Sequence, residues 1–219
     1  MRRLWWGFVR LFFRLLYNEF AWTYDLVAWV VSLGQWKAWG RMAIPHLRGE
    51  RVLELAHGPG HLLAAMAERG LAPVGLDLSP YMSRLARRRL TKRGSLTVPL
   101  VHAQAQVLPF HDGCFDSVVA TFPAEFIMAG DTLREVVRIL APSGRWVIVP
   151  GAVLSGRDPI SRFIWWLYQI TGQGDVMIGK GKALLERAGF SVKVAWEEAK
   201  GSRVLVVTAD KVRKDHAGW

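Results

Sequence analysis

Cysteine is nearly missing from this chain: Cys114 stands alone among 219 residues. That excludes a disulfide framework and a cysteine-based zinc module, and it fits a reducing compartment. Acid is scarce beside base, with 18 Asp and Glu against 29 Lys and Arg, a net charge of +11. Long uncharged runs are missing as well. The longest near the amino terminus, Leu26 to Trp36, has eleven residues, well short of the roughly 20 that span a bilayer. Arg10 and Arg14 break the apolar run after Arg2 and Arg3, and no small-residue cleavage site follows, so a secretory signal is not expected. Internal repeats and low-complexity segments are not visible.

What is present is apolar and aromatic. Hydrophobic residues make up 51% and mean hydropathy is +0.15, which excludes a basic disordered chain. Six of the eleven tryptophans (Trp5, Trp6, Trp22, Trp29, Trp36 and Trp39) fall in the first forty residues. On a helical wheel Arg3, Arg10 and Arg14 share one stripe, opposite Leu4, Phe8, Leu11, Phe12, Leu15 and Leu16. An arginine stripe over a Trp/Phe/Leu face predicts a helix lying in a membrane interface, its guanidinium groups reaching phosphates. The competing reading is an amphipathic helix packed on its own domain or on a partner. Residues 1–44 are read as this arm.

After Pro45 the pattern becomes regular. Strands are expected at Arg51–Leu55, Pro73–Asp77, Thr97–His102, Phe115–Thr121 and Arg145–Val149. Helices are expected at His61–Arg69, from Ser79-Pro80 to Arg93, and at Asp131–Leu140. Strands alternating with helices predict a parallel sheet with right-handed crossovers. The chain closes differently, with a helix at Lys182–Ala188 and strands at Phe190–Trp196 and Val204–Ala209 that read as an antiparallel hairpin on the sheet edge.

Chemistry first shows in Val52-Leu-Glu-Leu-Ala-His-Gly-Pro-Gly60. Glycines between a strand and a helix let backbone approach a ligand, and the helix amino end favours negative groups. Asp77 closes the second strand, where an acid can accept hydrogen bonds from both ribose hydroxyls. A nucleoside-bearing cofactor is the implied ligand class. His57 and His61 stand four residues apart, but no third ligand accompanies them, so no metal site is expected.

These segments resemble the class I S-adenosylmethionine-dependent methyltransferases, particularly those of ubiquinone and menaquinone biosynthesis. The resemblance runs roughly from Tyr24 to Ala209. It rests on VLELAHGPGHL from Val52, GLDLSP from Gly75, AQAQVLPFHDGCFDSVVATF from Ala103 and LREVVRILAPSGRWVIV from Leu133. It implies an α/β fold with a Rossmann-like, seven-stranded, mostly parallel sheet and an antiparallel terminal hairpin. That domain would cover residues 45–210, with a lid-like insertion at 154–178 and a polar tail at 211–219. S-adenosyl-L-methionine is the implied cofactor. By position its methionine end falls to Glu54, Ala56, Gly58 and Gly60, its ribose to Asp77 and Leu78, and its adenine to Gln104 and Ala105. Thr121 and Phe122 would line the sulfonium side.

Two positions depart from the family pattern. Ala56 replaces the loop's first glycine, so the backbone there does without positive φ or bears strain. Gln104 replaces the usual adenine-side acid, although an amide oxygen still accepts from an exocyclic amine. Methyl transfer asks mainly for alignment, and a base is needed only where the acceptor must lose a proton. Tyr24, His61 and Glu125 are the candidates, beside their plain readings as pocket wall, first-turn residue and solvated acid.

The acceptor is less defined. Helix Pro80–Arg93 carries Arg84, Arg87, Arg88, Arg89, Lys92 and Arg93, either a phosphate track or a solvated face. Nucleic acid is the weaker reading: Thr121-Phe-Pro-Ala124 lacks the element that grips a base amino group, and no RNA-binding module is appended. Ile160–Ile170 (ISRFIWWLYQI) adds a second aromatic-rich element, and with the arm it would form a hydrophobic mouth. The expected acceptor is lipid-like, a quinone precursor or a phospholipid amine. The expected location is cytoplasmic, peripheral to the inner face of the membrane. A soluble small-molecule or RNA acceptor, and a non-catalytic relative that only binds the cofactor, stay open; oligomeric state is undetermined.

Overall fold

A computed structural model describes residues 32–94, 97–154 and 175–212. The amphipathic face at Arg3–Leu16, Tyr24, the Ile160–Ile170 element and most of the tail lie outside the described residues.

The described chain begins with a short helix, α1 (Trp36–Arg41), and a 3₁₀ turn at Ile44–His46. Strand β1 (Arg51–Leu55) and helix α2 (His61–Ala67) follow, then β2 (Ala72–Asp77) and α3 (Pro80–Lys92). Next come β3 (Leu100–His102), β4 (Phe115–Thr121), a 3₁₀ turn at Glu125–Met128 and α4 (Gly130–Ile139). The chain continues through β5 (Leu140–Leu154), α5 (Asp175–Arg187), β6 (Phe190–Ala199) and β7 (Ser202–Lys211).

The seven strands form one sheet in the order β3-β2-β1-β4-β5-β7-β6. Strands β1 to β5 run parallel; β7 enters antiparallel to β5, and β6 pairs antiparallel with β7 at the edge. This is the Rossmann-like arrangement that the resemblance implied, and its parallel strands and reversed terminal hairpin are those the segmentation predicted. Val52, Leu53, Leu55, Val118, Val119 and Ala120 are wholly buried, because β1 and β4 sit mid-sheet with cover on both faces. Leu53, Leu55, Val118, Trp146 and Phe190 belong to one face's core. Val52, Leu63, Met66, Val119 and Trp39 belong to the other.

The hairpin strands run longer than expected, to Ala199 and from Ser202 to Lys211, β5 runs on to Leu154, and three starts also differ. Strand β3 starts at Leu100 rather than Thr97. Strand β5 starts at Leu140, ahead of the Ala-Pro-Ser-Gly turn: Leu140 opposes Phe115 and Arg145 opposes Ser117, so the residues between bulge out of register. Helix α5 starts at Asp175 rather than Lys182, its first turns carrying Gly179 and Gly181, which argue against helix in sequence. No helix among the described residues is long and apolar enough to cross a membrane.

Candidate active site

The four parallel strands β1 to β4 end on one rim of the sheet, with the chain reversing its order of addition between β1 and β4. Ligands of open α/β sheets bind at such a rim. The turn after β1 is built on left-handed backbone: φ is +54° at Ala56, +52° at Gly58 and +75° at Gly60. Ala56 thus keeps the conformation of a glycine and carries the strain. A side chain at Gly58 would meet nothing within 4 Å, whereas one at Gly60 would lie 2.7 Å from Ala86 Cβ in α3. Gly58 therefore leaves its backbone open to a ligand, and Gly60 lets two helices close together.

Asp77, at the end of β2, joins this turn to the next. Its Oδ2 accepts from Gly58 N–H at 2.9 Å and its Oδ1 from Ser79 N–H at 2.8 Å. Ser79 in turn caps α3, its Oγ accepting from Met82 N–H at 3.3 Å ahead of Pro80. Glu54 is 2% exposed, and its Oε2 has no hydrogen-bond partner. Burial pushes its carboxyl well above the usual range, and the charge of Asp77 adds to the effect. His57 is also buried: its ring Nδ1 lies 2.7 Å from Gly58 O, while Nε2 has no partner. Burial lowers its pKa against the opposing pull of Asp77, keeping the imidazole neutral. The turn thus collects two buried titratable groups around one anchored carboxylate.

Around this centre the other expected residues take distinct places. Leu78 is 58% exposed, and its carbonyl lies 2.7 Å from His102 Nε2. Gln104 is exposed after β3, its carbonyl accepting from Val107 N–H at 3.1 Å, and Ala105 is buried beneath it. Thr121 ends β4, and Phe122 turns out of it with φ +50°. His61 opens α2 directly after Gly60, and Glu125 is exposed on the 3₁₀ turn. No group of three His, Cys, Asp or Glu among the described residues could hold a metal ion.

Contacts that sequence did not reveal complete the rim. The Phe122 ring stacks on Trp36 with centroids 3.8 Å apart, and Trp39 lies 6.4 Å from the same ring. Trp39 Nε1–H donates to Ser202 Oγ at 2.7 Å, fastening α1 to the start of β7. Tryptophan at 36 and 39 was visible as composition; its partner, distant in sequence, was not. Arg89 donates to Pro59 O and ties α3 to the glycine turn. Arg87 donates to Val98 O, Arg93 pairs with Glu68 and Arg84 sits over the Tyr81 ring. Four cations of the basic helix thus have intramolecular work.

Residues 53–148 match the family model described as a methyltransferase domain. With this sheet order and glycine turn, the matched stretch resembles a class I S-adenosylmethionine-dependent methyltransferase domain. The chain is 38% identical over 140 residues to a demethylmenaquinone methyltransferase of Thermus thermophilus, covering 61% of this chain and 63% of the relative. It is 32% identical over 143 residues to the ubiquinone/menaquinone biosynthesis C-methyltransferase UbiE of Yersinia enterocolitica, covering 61% and 57%. The chain thus spans less than two thirds of the length of these relatives. In fold it is similar to a geranyl diphosphate C-methyltransferase of Streptomyces coelicolor (TM-score 0.58, 14% identity, 80% of this chain and 79% of that one). A methyltransferase of Methanosarcina mazei gives a TM-score of 0.56 at 19% identity, over 78% and 97%.

Proposed function

We propose that this protein transfers a methyl group from S-adenosylmethionine to a hydrophobic, quinone-like ring presented at a membrane surface. The observation that carries the cofactor half is the carboxylate of Asp77, clamped by two backbone N–H groups beside an open Gly58. The residues fit the group. Each Asp77 oxygen keeps acceptor capacity for a ribose hydroxyl. The orphaned Glu54 Oε2 is a buried polar atom facing a missing partner, and a protonated carboxyl there both donates and accepts. Leu78 offers an apolar face to a planar base, and Gln104 an amide oxygen to its amine. The cofactor, when bound, supplies an activated methyl on a sulfonium. The protein's share is orientation and exclusion of water.

The acceptor half rests on the named relatives and on the Trp36–Phe122–Trp39 cluster beside Thr121. Stacked aromatic side chains at that rim suit a planar apolar ring. Residues 1–44 would supply an interfacial arm whose last turns, α1 with Trp39, pack back on the domain, and 154–178 a lid over a domain of residues 45–210 that ends in a short tail. If the acceptor must lose a proton, Tyr24, His61 and Glu125 are the groups to test.

Calorimetry with S-adenosylmethionine tests the first half. The native protein should bind, and Asp77→Ala should weaken binding by at least about tenfold, the worth of one or two charge-assisted hydrogen bonds. No binding by the native protein would overturn the proposal. A labelled-methyl assay on a total lipid extract beside an RNA pool tests the second half. Label should enter the quinone fraction; entry into RNA or soluble compounds alone would sink the membrane acceptor. Liposome flotation should fall when residues 1–16 are removed, and equal flotation would remove the arm's role.

A further inference from the structure

Strand β6 is one of the two edges of the sheet, and no described strand pairs with its outer side. It is ten residues long, and its middle is open: Lys193 and Ala195 are exposed, Val194 is 36% exposed and Trp196 is 40% exposed. Long exposed edges invite pairing with another chain. Trp196 is held in place by the Arg203 guanidinium, 5.4 Å from its ring centroid, and Glu197 by His46 at 2.6 Å. The edge is therefore orderly as well as open.

The sequence of this edge fits itself. In an antiparallel pair, opposed residues alternate between hydrogen-bonded and non-bonded positions. A two-fold axis can therefore pass only through a residue that faces its own copy. Centring the axis on Lys193, Glu197 or Glu198 sets like charges against each other. Centring it on Val194 puts Lys193 across Ala195 and leaves Glu197 across Ser191. Centring it on Trp196 sets Glu197 against Ala195 and Glu198 against Val194. On Ala195 alone does Lys193 face Glu197, with Val194 facing Trp196, each pair made twice and each on a single face of the sheet; Glu198 falls across Val192 there, as it falls across Val194 in the Trp196 register. Opposite charges and aromatic–β-branched pairs are the favourable cross-strand partners.

We infer that β6 is a homodimer interface, in which two copies pair edge to edge, antiparallel and centred on Ala195, into one continuous sheet. The occupant is a second copy of this chain because the charge pattern is self-complementary in this register. The reading is independent of the reaction catalysed.

Sedimentation equilibrium of the full chain tests it. The native protein should dimerise. Lys193→Glu and Glu197→Lys should each weaken the dimer by at least about tenfold, since symmetry makes each reversal act at two contacts. The double exchange restores opposite charges and should recover most of the affinity, which a role for Glu197 confined to His46 would not do. In a Cys114→Ser background, Ala195→Cys should cross-link two chains through a disulfide on mild oxidation, while Val192→Cys should not. Thermal melts of each variant separate loss of pairing from loss of fold. A native monomer at all concentrations, or a dimer indifferent to the single reversals, would overturn the inference. So would cross-linking at 192 with none at 195.

Discussion

Two side chains pay in backbone strain for the shape of the rim. Ala56 at φ +54° and Phe122 at φ +50° both sit in the left-handed region, which costs a residue with a Cβ about 1 kcal/mol or more relative to glycine. Their causes differ. Ala56 is held by the turn on either side of it, whereas Phe122 gains the Trp36 stack and donates its N–H to Val149 O at 2.7 Å. Ala56→Gly should therefore stabilise the fold by roughly 0.5–1 kcal/mol, the relief of strain less the glycine's extra unfolded freedom. A rise in the urea midpoint checks it, and a fall would show that the Ala56 methyl contributes more than its strain costs. At this scale much of the site was legible. Glycines between strand and helix, and the acid ending β2, announce themselves by position. The buried orphan nitrogen of His57 does not, because only packing reveals which atoms water cannot reach.

Among elements, the loop after β3 depends on one side chain of α4. Arg138 donates to Leu108 O at 2.9 Å and Phe110 O at 2.7 Å, and pairs with Asp112 and with both oxygens of Glu135. Glu135 Oε2 closes the circuit by accepting from Leu108 N–H at 2.7 Å. This holds the stretch from Leu108 to Asp112 against the domain. Arg138→Met should cost roughly 2–3 kcal/mol, partly screened at this half-exposed site, and should raise amide exchange at Val107 and Leu108 first. Uniform exchange with no local excess would show that the loop is held otherwise. The Glu135–Arg138 spacing of three was a readable sign of a helix-face pair, but nothing in it named the carbonyls that the guanidinium reaches. Likewise the arginines of α3 read equally as phosphate track or solvated face until Pro59, Val98, Glu68 and Tyr81 came alongside. Buried strands such as β1 and β4 were legible end to end, because continuous apolar runs bounded by turns leave little choice.

For the molecule as a whole, titration couples these devices to pH. Arg51 holds the Asp116 carboxyl below its usual range, Arg138 does so for Glu135, and Arg145, at 2.6 Å, for Asp210. Each lowered pKa contributes stability that is present above the ordinary carboxylate range and lost as pH falls through the lowered value. His57 acts in the same direction but earlier: its pKa lies below 6.5 in the fold, so the unfolded chain gains protons that the fold excludes as pH drops through that value. Glu54 runs the other way. Its raised pKa costs stability above the ordinary carboxylate range and ceases to cost it in acid. In urea unfolding the native protein should lose stability relative to His57→Gln as pH falls below 6.5, because only the native fold excludes that proton. Unchanged slopes near pH 6 would show that His57 is charged in the fold.

The contact between Gly60 and Ala86 binds two distant stretches of sequence into one unit of variation. At 2.7 Å there is no room for a Cβ at 60 while alanine stands at 86, and a larger residue at 86 would press on the turn that meets the ligand. Neither position can drift alone. A designer wishing to widen the glycine turn would have to move α3 first, and with it Arg89, whose grip on Pro59 ties the same turn from the other side.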